Sequence, residues 1–199
     1  MKTVAALFVA KDGCYSELPD VDLWDEERDA RNYQGPYPVV AHPPCARWCQ
    51  LAPVNQARYG LKIGNDDGCF GNALASVRQF GGVLEHPALS LAWWYFHLRR
   101  PKPGRWVQGP CGGWTVQVEQ RKYGHPASKK TWLYAYGVEL PELRWGKGPP
   151  PEAWISSDRP RSQLQHVRQL SKEKASATPP EFRDLLLSIA RTAKGAAHA

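Results

Sequence analysis

Tyr37-Pro38-Val39-Val40-Ala41-His42-Pro43-Pro44-Cys45 is a short apolar strand that runs into two prolines and a cysteine. Proline has no N–H for a ladder and restricts the residue before it. Regular pairing therefore stops by Pro43, and Cys45 sits on a rigid loop just past a strand end. The same design recurs on either side. Residues 3–10 form a nearly continuous apolar run, ended by Lys11-Asp12-Gly13, which reads as a buried strand and a turn. Residues 21–25 read as a second strand. Val83-Leu84 begins a further strand that ends at Glu85-His86-Pro87.

Between and after these strands the periodicity changes. Phe70, Leu74, Val77 and Phe80 predict a helix over 68–81, stopped by Gly81-Gly82. A helix is expected at 88–98, with Leu91, Trp94, Tyr95 and Leu98 on one face. Residues 114–121 and 131–137 alternate and are rich in Trp, Thr, Val and Tyr, as strands are. Proline, glycine and charge make 141–163 an irregular loop. Pro179-Pro180 open a last amphipathic helix that buries Phe182, Leu185, Leu186, Ile189 and Ala190. The expected fold is α/β: a sheet with flanking helices and a β-rich, basic second half. One domain spans 1–194, with an irregular loop insertion at 138–170 and a disordered tail at 195–199. Ligands of such a sheet bind beyond the carboxyl ends of its strands, where His-Pro-Pro-Cys and Glu-His-Pro both fall.

Composition narrows the class. The 199 residues are 42% hydrophobic and 23% charged, ordinary globular proportions, but nine are tryptophan. That many indoles suggest a large aromatic core or surfaces on which flat rings stack. The net charge of +7 favours a polyanionic partner, most simply nucleic acid, or else a solvated basic surface. Five cysteines, an odd number, with no secretory signal at the start, predict free thiols in a reducing cytoplasm. No run approaches the ~20 apolar residues of a membrane span.

Cys45, pinned by two prolines, suits a nucleophile, and it suits a buried structural thiol as well. His42, Cys45 and Cys49 are spaced closely enough to ligate a metal, but Cys14, Cys69 and Cys111 are scattered and supply no paired ligand, so no metal site is expected. His125, within Gly124-His125-Pro126, reads as a fixed turn histidine, either a proton carrier or a turn stabiliser.

Four segments, in order, resemble the DNA cytosine-5 methyltransferases. That family carries a Pro-Pro-Cys loop, a Glu-Asn-Val strand end, a Gln-x-Arg strand, and a Pro-Pro before a C-terminal helix. This chain reads Pro43-Pro44-Cys45, Glu85-His86-Pro87, Glu119-Gln120-Arg121 and Ala177-Thr178-Pro179-Pro180. Residues 83–87 and 123–134 also look like short methyltransferase-like proteins of phages and prophages. The resemblance implies a Rossmann-like methyltransferase-type sheet, reduced in size, and a DNA-modifying enzyme in the host cytoplasm if phage-encoded.

The implied chemistry is specific. A thiolate at Cys45 adds to carbon 6 of cytosine and makes carbon 5 nucleophilic. Glu85 matches the acid beside N3 and the exocyclic amine. Arg121, with Gln120, matches the group that holds the base and lowers the thiol pKa. A duplex substrate must present a flipped base. The methyl donor, S-adenosylmethionine, is implied against Phe8 and Gly13, the two residues that agree with the family's Phe-x-Gly-x-Gly-Gly turn, and beside Pro43. Asp22 or Asp25 would bind its ribose and Trp24 would face its adenine. Seven residues separate Gly13 from Val21, too few for the usual connecting helix. The large target-recognition domain is absent, and 138–170 is at most a short substitute. Arg47, Lys122, Lys129, Lys130, Arg159 and Arg161, interleaved with aromatics such as Trp132, Tyr134 and Trp154, suit DNA contact. Two other readings belong to different classes: an inactive methyltransferase-like module that binds nucleic acid or a host protein, and an enzyme on free pyrimidine nucleotides.

Overall fold

The computed structural model describes residues 2–146, 148–155 and 168–194. Arg159, Arg161, part of the 138–170 insertion and the 195–199 tail lie outside the described residues. The protein is a mixed α/β structure built on a seven-stranded sheet with the order β2-β1-β3-β4-β7-β6-β5. Strands β1 (Val4–Leu7), β2 (Val21–Trp24), β3 (Val39–Ala41) and β4 (Gly82–Pro87) run parallel. Strands β5 (Val107–Gln108), β6 (Trp114–Glu119) and β7 (Lys130–Tyr136) complete it through antiparallel pairs. A separate parallel pair joins β8 (Ala153–Trp154) to β9 (Arg168–Gln169).

The central strands are apolar on both faces because both faces are covered. On one side Ala5, Leu7, Val39, Ala41 and Leu84 meet Phe70, Leu74 and Val77 of α2 (Cys69–Phe80). On the other, Val4, Ala6, Val40, Val83 and Leu133 meet Phe182, Leu186, Leu187 and Ile189 of the last helix, Pro180–Arg191. Each of those large side chains stabilises by about 1.5–3 kcal/mol on burial. The close approach of β3 to β4 depends on Gly82, whose φ is +136°, and a Cβ there would lie 1.9 Å from the Val39 carbonyl oxygen.

Local differences from the sequence reading have identifiable causes. β1 stops at Leu7 because Phe8 turns the chain with φ +59°. The chain between β1 and β2 is a series of turns with no helix, in keeping with its length. β6 ends at Glu119, and Gln120–Tyr123 is one 3-10 turn that leaves the ladder, so Arg121 is not a strand residue. α3 spans only Leu91–Tyr95, and its buried face is Ala92 and Trp93, while Trp94 is 81% exposed and Tyr95 59%. α1 (Ala52–Tyr59) and α4 (Lys172–Ser176) occupy stretches without clear helical periodicity; the last helix is accordingly α5. No helix among the described residues is long and apolar enough to cross a membrane.

Candidate functional site

A cavity of about 1580 Å³ opens at the carboxyl ends of β1, β3 and β4, walled on the far side by residues 169–178. A pocket for a single small ligand ordinarily measures ~300–1,000 Å³, so this space exceeds what one such ligand needs. Its floor includes Phe8, Tyr15, His42, Pro43, Cys45, Glu85 and Lys129.

β3 delivers the first of these groups. His42 N–H still bonds the Leu7 carbonyl at 3.0 Å, the last rung toward β1. After the two prolines the Cys45 carbonyl accepts from Trp48 N at 2.9 Å and Cys49 N at 2.8 Å, a tight turn that fixes the thiol at its head. Burial pushes the Cys45 thiol up to about 11; nearby Cys49 and Glu85 add to this and Lys129 opposes it. The resting group is a thiol.

β4 delivers Glu85, which is 8% exposed. One carboxylate oxygen accepts from His42 Nδ1 at 3.0 Å, the other from Gln120 Nε2 at 3.2 Å. Burial pushes this carboxyl up, but the His42 hydrogen bond and charge, aided by Lys129 and His86, outweigh it and hold it below the usual carboxylate range. Beyond His42 the chain of bonds continues: Nε2 lies 2.9 Å from the Tyr15 hydroxyl. Tyr15 is buried, and its burial, with Cys14 and Glu85 nearby, raises its pKa well above a free phenol's. The Tyr15 phenol and the Glu85 carboxylate thus hold the two ring nitrogens of His42 from opposite sides, so the three groups share one orientation. Gln120 also donates to Thr131 Oγ1 at 2.9 Å, bracing Glu85 from beneath.

Lys129 supplies the cation. Its ammonium donates to the Ser176 and Ala177 carbonyls, both at 3.1 Å, tying the far wall to β7. Burial lowers its pKa, and the charges of Glu85, Cys45 and Cys14 resist that shift.

The residues singled out from sequence therefore part company. Cys45, Glu85, Phe8, Gly13, Pro43, Lys129 and Lys130 line the cavity, as do Ala177 and Thr178. Gln120 does not line it but holds Glu85. Arg121 points elsewhere: it donates to the carbonyls of Pro150 at 2.7 Å and His125 at 3.1 Å and pairs with Glu152 at 2.8 Å. A guanidinium so committed clamps loops together, and the cation beside the thiol is Lys129. His125, 1% exposed, is bonded within its own turn, Ala127 N donating to Nδ1 at 3.1 Å. Lys122 donates to the Trp145 carbonyl, Arg47 is half-buried outside the cavity, and Trp132 and Tyr134 belong to the core.

At the end of β2 the intended adenosine contacts are already in use. Asp22 takes Arg28 at 2.7 Å and the Trp24 indole N–H at 2.8 Å. The Arg28 guanidinium lies 4.1 Å above the Trp24 ring, and Asp25 accepts from Arg28 N at 3.0 Å. None of Asp22, Trp24 and Asp25 lines the cavity. Among the described residues no group of three or more His, Cys, Asp or Glu is placed to hold a metal, His42, Cys45 and Cys49 included.

Sequence reading missed Tyr15, and it weighed His42 only as a metal ligand. His42 had a usable signal, standing between a strand end and two prolines. Tyr15 had none, because its role depends on how the β1–β2 loop folds back over the sheet. The chain matches no protein-family model and no curated protein.

Proposed function

We propose that the protein is a DNA-modifying enzyme that acts on a cytosine base through Cys45, on a sheet of the Rossmann-like methyltransferase type. The observation that carries this reading is the convergence of Cys45 and Glu85 on one cavity at the carboxyl ends of neighbouring parallel strands. The order β2-β1-β3-β4 supports it, since successive connections leave β1 in opposite directions and the crevice opens where they diverge.

The chemistry follows from the groups present. The Cys45 thiol gives up its proton to the carboxylate–imidazole pair of Glu85 and His42, and Lys129 favours the resulting thiolate. Sulfur then bonds to carbon 6 of the base, the C5=C6 electron pair shifts toward carbon 4, and N3 takes the proton that the thiol gave up, which leaves a neutral enamine nucleophilic at carbon 5. Glu85 accepts a hydrogen bond from the exocyclic amine. After carbon 5 takes an electrophile, water in the cavity removes its original proton, the freed electron pair restores C5=C6 and expels sulfur as thiolate, and the proton held at N3 returns through Glu85 to sulfur. Water can itself supply the electrophile, as a proton, so the cycle exchanges the carbon-5 hydrogen without any donor.

The residues at the end of β2 do not fit the adenosine of S-adenosylmethionine: the acid is paired with Arg28 and the indole face is covered by it. The same observation favours a second reading, a methyltransferase-like module that binds nucleic acid without chemistry.

Exchange separates the two. DNA carrying tritium at cytosine carbon 5 releases it to solvent with the wild-type protein and not with Cys45→Ser. Equal release by both proteins removes the nucleophile assignment. No release by either, with strand binding intact, leaves the binding module.

A further inference from the structure

Two stretches of the chain, 30–65 and 86–118, contain no Asp or Glu. They carry eight Lys and Arg residues, in a protein whose net charge is +7, so the remainder is close to neutral. Every exposed large hydrophobic side chain among the described residues falls in the same two stretches: Tyr37, Leu51, Val54, Tyr59, Leu89, Trp94 and Tyr95. Surface aromatics and unbalanced positive charge thus coincide.

The fold brings the two stretches together around Trp48. That indole is buried, donates to Asp66 at 2.7 Å and packs against Tyr95 with ring centroids 5.3 Å apart. Its carbonyl accepts from Leu91 N at 2.8 Å, so the start of α3 is anchored beside the turn that presents Cys45. Leu51, just before α1, and Leu89, just before α3, form part of the cavity rim. Directly after α3 the chain forms a groove of about 640 Å³ lined by His97, Arg99, Arg100 and Lys102. Arg58, Arg99 and Arg100 have no carboxylate within ion-pair distance among the described residues. Of the basic residues expected to contact nucleic acid in the second half, Lys122 and Lys129 spend donors on backbone carbonyls.

We propose that the face formed by α1, α3 and the 97–102 groove binds single-stranded nucleic acid, with bases stacked on Trp94 and Tyr95 and phosphates in the groove, leading the strand past Leu89 to the cavity. An unpaired strand fits because exposed rings need open base faces, whereas a duplex presents phosphates and groove edges only. A purely apolar protein partner has no use for the guanidinium groups of Arg99 and Arg100 in the groove that follows α3. The inference rests on the nucleic-acid reading above and names the substrate form and the surface that receives it.

The test is fluorescence anisotropy with a labelled 20-nucleotide single strand containing cytosine, against the same sequence as a duplex, at several salt concentrations. The wild type binds the single strand more tightly than the duplex. Trp94→Ala weakens the single strand about tenfold, as removal of one stacking platform does. Arg99→Ala/Arg100→Ala weakens it similarly and flattens the salt dependence by ~0.7 for each phosphate no longer neutralised. Both variants change exposed side chains, and unchanged thermal melts show that they fold. Duplex preference, or wild-type affinity and salt slope in both variants, overturns the proposal. Cys45→Ser keeps the failures distinct: it retains strand affinity while losing exchange. Normal exchange with unaltered binding in the Trp94 and Arg99/Arg100 variants sinks the surface alone, and altered binding with no exchange by wild type sinks the enzyme reading alone.

Discussion

At the scale of single residues, the cavity is governed by what surrounds one sulfur. Burial and the Glu85 charge raise the Cys45 pKa to about 11, and Lys129 opposes them. Alkylation of the Cys45 peptide by iodoacetamide, followed by mass spectrometry, should accordingly be slow at pH 7. It should accelerate about tenfold per pH unit toward that value, because only the thiolate reacts. Lys129→Met should slow it further at pH 8, and Glu85→Gln should speed it, the two signs following from the charge removed. A Cys45 peptide that reacts at pH 7 as fast as a free thiol would contradict this electrostatic picture. Tyr15→Phe removes only the outer hydrogen bond of the relay, so exchange should fall modestly, with folding retained. His42→Asn, which uncouples Glu85 from its neutralising partner, should cost on the order of 10²-fold, within the range of a lost acid–base group.

At the scale of elements, the site is held by packing between strands and helices rather than by loop contacts alone. Gly82 is the tightest point, since any side chain there collides with the backbone of β3 and its φ of +136° is strained for other residues. Gly82→Ala should therefore destabilise by several kcal/mol, on the order of 3, and displace Glu85, which lies three residues on in the same strand. Urea denaturation monitored by tryptophan fluorescence reads this directly. α5 covers the face opposite α2, and truncating its fully buried Leu186 to Ala should cost about 2–5 kcal/mol. The short α3 shows how an element's neighbours decide its orientation. Helical spacing placed Trp94 and Tyr95 together with Leu91 and Leu98, yet Phe70 and Trp132 claim Trp93 instead. The two aromatics next in sequence then face outward, available to a partner.

Across the whole molecule, one buried group couples stability to pH. His86 is fully enclosed, its ring edge-on to Phe70 at 5.2 Å, and burial pushes its pKa down to about 4. In the unfolded chain the imidazole titrates near 6.5, so between about 6.5 and 4 the unfolded state holds more protons. Stability is therefore intact above pH 6.5 and is lost as the pH falls through that window, by roughly 3 kcal/mol if the full shift is realised. His86→Leu should flatten this part of the profile in denaturation experiments from pH 7 to 4.5. A mutant profile as steep as wild type there would assign the acid sensitivity to other groups.

Most of the sheet was legible one strand at a time. Short apolar runs closed by Lys-Asp-Gly or by Pro-Pro have few other ways to satisfy their backbone, so the parallel core and the place of Cys45 just beyond it follow from local chemistry. So does α5, whose apolar stripe needs a sheet face to cover it. The antiparallel β5, the pair β8–β9 and the short α1 and α4 left little trace, because segments of two to eight residues carry too few side chains to establish a period. What tertiary structure alone decided is which charged group meets which. Arg121 and Lys129 are both cations near the end of a strand, and only the path of the loops around Pro150 and Ser176 sends one outward and the other to the cavity. Tyr15 meets His42, and Arg28 closes over Trp24, through folds of the chain that no local pattern encodes. Charge and hydrogen-bond partners act over ångströms in space, whereas the sequence orders residues only along the chain.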